Sequence, residues 1–260
     1  AGKDADRAAD LNQMFADPEI EAIICSRGGY GTPRMIDLVN FDNIRQNPKI
    51  FVGYSDITAL QLAIWEKTGL VTFSGPMVAV EMGGGIDPFT EQAFWQMVSG
   101  AVGAGLLTPP EGHSLQILSG GKATGPLIGG CLSLINIVLG TPYCPDFEGA
   151  IFYIEDIEEE PYHLDRYLAQ MKMAGIFDQI SGLVLGQFVD CEPNEPEKPY
   201  LSVEQIFEDY FSDLNIPIIG NFPYGHVPVK VTMPVGVQAE LNTEAGGLIL
   251  SESPVSLQIA

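Results

Sequence analysis

A chain of 260 residues, 46% of them hydrophobic, can bury a sizeable core, which excludes wholesale disorder and fits one large domain or two modest ones. Its formal charge of −22, with 12 Lys and Arg against 34 Asp and Glu, excludes a surface built for nucleic acid or an anionic membrane, because both demand clustered cations. Cys25, Cys131, Cys144 and Cys191 stand far apart, with no C-x-x-C pair and no His at ligand spacing, so neither zinc nor another metal is expected.

The longest apolar stretch, around "PLIGGCLSLINIVLG", is broken by Gly, Ser and Asn and falls short of the ~18 residues of a membrane span. A soluble protein is expected, and the unpaired cysteines favour the cytoplasm. The opening "AGKDADRAADLNQMF" has no basic-then-apolar signal segment, and lacking a starting Met it leaves room for a removed leader.

In chain order, Ala8, Leu11 and Phe15 give "DADRAADLNQMFAD" helical spacing, and "EAIICS" is a short apolar strand that runs into the glycine-rich "RGGYG". "PRMIDLV" and "FDNIRQNP" predict short helical pieces, followed by the strand "KIFVGY" and a helix "DITALQLAIWEKTG" that stops at Gly69. "LVTFSGP" adds a strand and "PFTEQAFWQMVSG" a helix; Trp65 and Trp95 are expected in helix cores. This alternation predicts an α/β fold: a mostly parallel, Rossmann-like sheet with flanking helices over residues 1–100.

After Gly100 the turn-rich "GLLTPPEGHSLQILSGGKATGPLIGG" predicts a linker over 101–125 and a second, β-rich α/β domain over 126–260. That second part holds the helix "CLSLINIVLG", the buried strand "GAIFYIEDI", a helix opened by Pro161, the strand "GLVLGQF", the helix "SVEQIFEDYFSDL" and a β-rich end.

Ser55 sits at the joint of strand and helix in "KIFVGYSDITALQ". One role is a helix cap, with Asp56 in the first turn complementing the dipole. The other is a nucleophile: a strand–Gly-x-Ser–helix layout lifts a hydroxyl to the carboxyl edge of the sheet, although Ile57 stands where the hydrolase elbow G-x-S-x-G has its last Gly. A nucleophilic Ser needs a base, and the chain has three imidazoles. His113 falls in a surface loop and His163 on the polar side of a helix, both read as solvated. His226, between Gly225 and Val227 in the stiff "NFPYGHVPVK", is the candidate. The base in turn wants a carboxylate, and the strand ending in "YIEDIEEE" offers Glu155 or Asp156. Alternation puts these two on opposite faces, so one alone can serve; Glu158, Glu159 and Glu160 read as a solvated run. Oxyanion donors could come from the N–H of Asp56 and from Gly28 or Gly29 of "RGGYG", a loop that could equally be a structural turn; it lacks the phosphate motifs G-x-G-x-x-G and G-K-[ST].

The stretches "RGGYG", "PKIFVGYSDITAL", "GTPYCPDFEGAIFYIEDIEEEPYHLDR" and "YGHVPVK", in this order across most of the chain, resemble the LD-carboxypeptidases, a serine peptidase family that includes murein tetrapeptide carboxypeptidases and microcin C immunity proteins. The resemblance implies a Ser–Glu–His triad on Ser55, Glu155 and His226, with oxyanion donors on Asp56 and Gly29. It also implies a homodimer and no cofactor. Two departures stand out. The sequence starts inside the motif equivalent to "LAGKDADRAADL", so the family's first strand is expected to be missing from it. Cys131 in "GGCLSL" replaces a usual Asn.

By the same resemblance the reaction is acyl-enzyme hydrolysis that releases a C-terminal D-amino acid from a murein tetrapeptide, as in cell-wall recycling. A free substrate carboxylate calls for a cation, and Arg27, Arg34, Arg166 and Lys230 are the candidates. The alternatives are an amidase acting on peptidyl-nucleotides or acyl-adenylates, which would need an aromatic shelf for a base, and a non-enzymatic module binding a small ligand.

Overall fold

The computed structural model describes residues 2–101 and 103–256; the ends of the expected domains at 1 and 257–260, and residue 102 of the expected linker, lie outside the described residues. The elements are α1 (Asp4–Ala16), β1 (Ala22–Ile24), α2 (Phe41–Gln46), β2 (Ile50–Gly53), α3 (Thr58–Thr68), β3 (Thr72–Ser74), α4 (Pro88–Val98), β4 (Gly105–Leu106), β5 (Gln116–Ser119), β6 (Lys122–Cys131) and α5 (Leu132–Val138). They continue with β7 (Ile151–Ile157), α6 (Pro161–Met173), α7 (Ile176–Gln179), β8 (Gly182–Val189), α8 (Val203–Phe211), β9 (Ile218–Gly220), β10 (Met233–Val235), β11 (Gln238–Asn242) and β12 (Gly247–Leu250).

Two sheets form. The first has the order β1-β2-β3-β10, with β1, β2 and β3 parallel and β10 antiparallel to β3. The second has the order β4-β12-β11-β6-β7-β8-β9-β5, with β6 to β9 parallel and antiparallel strands at both margins. The segment 101–125 contributes β4, β5 and the first residues of β6 to this larger sheet. The chain then returns: Met233, Pro234 and Val235 pair with Ser74, Phe73 and Thr72 of the first sheet. That crossing carries the loop with His226 from one sheet to the other.

Helix α1 buries the stripe Ala8, Leu11 and Phe15, and Phe15 meets Phe51 of β2 at 6.1 Å between ring centroids. Helix α3 is buried on nearly all sides from Thr58 to Ile64, as expected for a helix wedged between two layers. It ends at Gly69, whose φ of 71° suits a left-handed C-terminal turn. One hydrophobic core joins Val52, Leu62 and Phe73 from the first half to Leu132, Ile135 and Phe152 from the second. Trp95 departs from expectation. The buried stripe of α4 runs through Thr90, Phe94, Met97 and Val98, and Trp95 lies one step off it, 53% exposed. Trp65 is half-buried, its ring against Gly236, where a Cβ would fall 2.3 Å from the indole.

Candidate active site

Ser55 follows β2 through Tyr54 and opens a 3-10 turn, Ser55–Ile57, ahead of α3. Its φ is 62°, the left-handed region, and it makes no capping bond, so it is not a helix cap, which would sit in extended backbone. Glycines permit this. A Cβ on Gly53 would fall 2.8 Å from Ile57 Cγ2, and one on Gly28 would fall 2.8 Å from Ser55 Cβ. The "RGGYG" loop therefore lies directly against the Ser55 side chain. It is tied there by Asp56, whose buried carboxylate Oδ2 accepts from the Thr32 N–H at 2.8 Å and from Thr32 Oγ1 at 2.6 Å. The backbone N–H groups of Asp56 and Gly29 donate to no backbone carbonyl among the described residues.

At the carboxyl end of β7, Glu155 and Asp156 point to opposite faces. Glu155 has no exposed surface and its Oε2 lies 2.7 Å from His226 Nδ1, while Oε1 has no protein partner. Between the pairs Ile154↔Leu185 and Asp156↔Phe188, β8 carries one residue more than β7, a bulge opposite Glu155. Gly186 sits in that bulge, where a Cβ would meet Tyr224 O at 2.7 Å and Glu155 Cβ at 3.1 Å. Gly225, with φ 124°, faces the carboxylate: a Cβ there would fall 2.8 Å from Glu155 Oε2. The imidazole can approach Glu155 because these two glycines leave room.

Asp156 turns the other way. Its Oδ2 accepts from Ser133 N–H at 2.8 Å, and Oδ1 accepts from Ile157 N–H at 2.9 Å and from Cys131 Sγ at 3.3 Å. Burial, and next the charge of Glu155, push its carboxyl up to about 6. The Cys131 thiol is pushed well above its ordinary range, first by burial and then by Asp156 and Glu155.

Tyr54, next to Ser55, packs against the His226 imidazole edge to face with centroids 4.9 Å apart, which brings that ring alongside the Ser55 turn. Ser55 and His226 make no hydrogen bond in this structure; the ring nitrogen bonded is Nδ1, to Glu155. The other imidazoles are less solvated than expected. His113 is half-buried and its Nε2 donates to the Asn221 carbonyl at 2.6 Å; His163 is half-buried and paired with Glu159 at 2.7 Å.

Of the four candidate cations, Arg34 is exposed and paired with Asp4, and Arg166 is exposed over the Tyr162 ring at 5.3 Å. Arg27 is exposed beside the glycine loop, its Nε 3.8 Å from where a Gly29 Cβ would be, and it forms no ion pair among the described residues. Lys230 is 2% exposed and bonded to Glu81 Oε1 at 2.6 Å. Glu81 and Thr32 escape the sequence reading: Thr32 directly follows the "RGGYG" loop, but its partner Asp56 is 24 positions away, and the partner of Glu81, Lys230, is 149 positions away. The described residues contain no cluster of His, Cys, Asp or Glu suited to a metal, and no helix long and apolar enough to cross a membrane.

The LD-carboxypeptidase N-terminal domain matches residues 1–75 and the LD-carboxypeptidase C-terminal domain matches residues 124–241. The chain belongs to the LD-carboxypeptidase family. It is 42% identical over 244 residues to a probable murein peptide carboxypeptidase of Bacillus subtilis, covering 94% of this chain and 75% of that protein. A crystal structure of muramoyltetrapeptide carboxypeptidase from Oxalobacter formigenes superposes with a TM-score of 0.82 at 32% identity, covering 96% of this chain and 85% of the other. The microcin C7 self-immunity protein MccF of Escherichia coli is 26% identical over 285 residues, covering 99% and 81%. Its structure with aspartyl sulfamoyl adenosine gives a TM-score of 0.88 at 25% identity, covering 98% and 83%. As a family member the chain is a carboxypeptidase-type hydrolase of mixed α/β fold.

Proposed function

We propose that this LD-carboxypeptidase is a serine enzyme that removes the terminal D-amino acid from a murein tetrapeptide, with Ser55 as nucleophile, His226 as base and Glu155 as the group that orients it. The observation that carries the reading is the 2.7 Å contact between His226 Nδ1 and fully buried Glu155, set beside a serine held at φ 62°. A carboxylate on Nδ1 fixes the proton there and leaves Nε2 as the acceptor a serine needs. Ser55 Oγ attacks the carbonyl between the L-centre of the diamino acid and the terminal D-residue while His226 takes its proton. The N–H groups of Asp56 and Gly29 receive the oxyanion, and His226 then protonates the leaving amine. Water, deprotonated by the same imidazole, hydrolyses the ester. Hydrogen bonds of this kind are often long before substrate enters and tighten in the complex, so the Ser55–His226 link closes on binding.

Arg27 receives the substrate carboxylate. It flanks the oxyanion loop and has no competing anion, whereas Arg34 and Lys230 already pair with carboxylates. The test is mass spectrometry of the protein incubated with a tetrapeptide ending in D-Ala: loss of that one residue is expected from the wild type and not from Ser55→Ala. An intact peptide with the wild type rejects the reading.

A second reading, hydrolysis of a peptidyl-nucleotide amide, draws on the likeness to MccF. Offering the tetrapeptide and aspartyl sulfamoyl adenosine at equal concentration separates the two, and preferential loss of D-Ala is the result expected here.

A further inference from the structure

Lys230 is one of the few buried charges among the described residues, and every direction of its ammonium is taken. It donates to Glu81 Oε1 at 2.6 Å and to the Gly225 carbonyl at 3.2 Å, and it lies 3.8 Å from the centroid of the Tyr54 ring. An ammonium has three donors, so none is left for a substrate carboxylate. Burial pulls its affinity for the proton below the ordinary lysine value, and the Glu81 carboxylate offsets part of that pull. Glu81 is itself held by the Tyr54 hydroxyl on the same Oε1 at 2.6 Å and by the Met77 N–H on Oε2 at 2.8 Å.

The partners of this one ammonium matter because of their neighbours in sequence. Tyr54 precedes Ser55 and packs on the His226 ring; Gly225 precedes His226 and faces Glu155. Ser55 follows β2 of the first sheet, whereas the His226 loop leaves the second. The backbone of that loop is closed by Val231 N–H to the Pro223 carbonyl at 2.8 Å, and Thr90 of α4 holds Pro228 O and Lys230 N–H at 2.8 and 2.9 Å. These contacts fix the far side of the loop. On the side facing the elbow, the Lys230 side chain joins the loop to Tyr54.

We propose that Lys230, with Glu81, is a positioning residue of this hydrolase: one ammonium holds Tyr54 and Gly225 together, and so keeps the Ser55 elbow and the His226 imidazole in register across the two sheets. The proposal rests on the hydrolase reading above. It removes Lys230 from the residues that recognise the substrate carboxylate and gives it to the alignment of nucleophile and base. A displacement of about 1 Å between reacting groups costs on the order of 100-fold in rate, which sets the expected effect.

The test uses Lys230→Met and the pair Lys230→Met/Glu81→Gln. The single change strands a buried carboxylate and can unfold the chain; the pair removes both charges at similar volume and keeps the fold. An alkyl fluorophosphonate, which has no carboxylate, reports how readily Ser55 is phosphonylated, and hydrolysis of the D-Ala tetrapeptide reports kcat and KM. The expected result for the pair is a fall of about 100-fold in both labelling rate and kcat, with KM within about threefold. Wild-type labelling by the folded pair variant overturns the proposal, as does a raised KM with labelling unchanged, which would return Lys230 to the substrate carboxylate. If the wild type neither labels nor cleaves, the hydrolase reading fails by itself. Proton NMR of the His226 Nδ1–H then decides the alignment claim: loss or broadening of that resonance in the pair variant supports it, and an unchanged resonance overturns it.

Discussion

Ser55 and Glu155 both stand at carboxyl ends of parallel strands, yet the two halves of the molecule hold them by opposite means. Ser55 is exposed enough to react and is placed by its own backbone, in a left-handed conformation that costs a non-glycine residue about 1–2 kcal/mol. Glu155 lies in ordinary extended backbone with no exposed surface, placed by β6 and β8 on either side, and what it costs is the desolvation of a charge. The first half stores strain at one residue in the turn that leaves a four-stranded sheet. The second stores an ion inside an eight-stranded one. On the proposed reading both devices lower stability locally to hold the site ready for chemistry, so replacing Ser55 or Glu155 themselves should leave the fold intact or strengthen it.

The largest test of that comparison is on rate. Ser55→Ala should lower kcat by about 10⁶, measured on the D-Ala tetrapeptide, with the melting temperature unchanged because alanine inherits the same strain. Ser55→Gly should be as inactive but more stable by about 1 kcal/mol, a rise of about 2–4 °C, since glycine adopts this φ freely. If the glycine variant melts with the alanine variant, the elbow is not strained. Glu155→Gln should lower kcat by about 10⁴ through loss of the carboxylate that holds the imidazole, while its melting temperature does not fall. A clear drop in melting temperature would show that the charge stabilises the second half and would break the comparison.

The two halves also differ in how far they could be read from sequence. The strand–Gly-x-Ser–helix signal located Ser55, but whether it caps α3 or projects from an elbow is a question of one φ angle, which no residue pattern reports. Strand alternation separated Glu155 from Asp156 without choosing between them; which of the two faces His226 depends on how the loop of residues 221–230 folds back over β7, and that is a matter of tertiary structure. The return of β10 to the first sheet was invisible because three residues, Met233–Val235, are too short for any period to show. The surroundings of Lys230 were hidden for a related reason: the direction of a four-carbon side chain depends on Glu81 and Tyr54, which lie about 150 and 176 positions away, and only the fold brings them within reach.

A smaller effect sharpens the part played by the elbow's neighbours. Gly28→Ala puts a methyl 2.8 Å from Ser55 Cβ and 3.1 Å from its Oγ, so either the loop or the serine must move. Stability should fall by about 1–3 kcal/mol, as in other overpacked sites, and kcat by about 100-fold as Gly29 and Ser55 separate. The oxyanion assignment predicts that kcat falls further than fluorophosphonate binding does. Equal kcat in wild type and variant would mean that "RGGYG" is a structural turn after all.

The smallest effect concerns the back of the Glu155 strand. Asp156 has its carboxyl raised from 3.8 to about 6, chiefly by burial and next by Glu155. A folded value above the unfolded one means that the native state holds this proton more tightly. Its contribution to stability is therefore full below about pH 4 and declines as pH rises to about 6. Above that, ionised Asp156 costs on the order of 3 kcal/mol relative to acid, before other groups are counted. Asp156→Asn cannot ionise. It also gives up an acceptor for either Ser133 N–H or Ile157 N–H, a loss that does not vary with pH. Urea unfolding of both proteins between pH 4 and 8 should therefore show a stability difference in favour of the wild type at the acid end that shrinks with rising pH and levels off above 6. A difference constant across the range would mean that the Asp156 carboxylate is as well solvated in the folded chain as in the unfolded one, leaving Glu155 as the sole desolvated charge at that strand end.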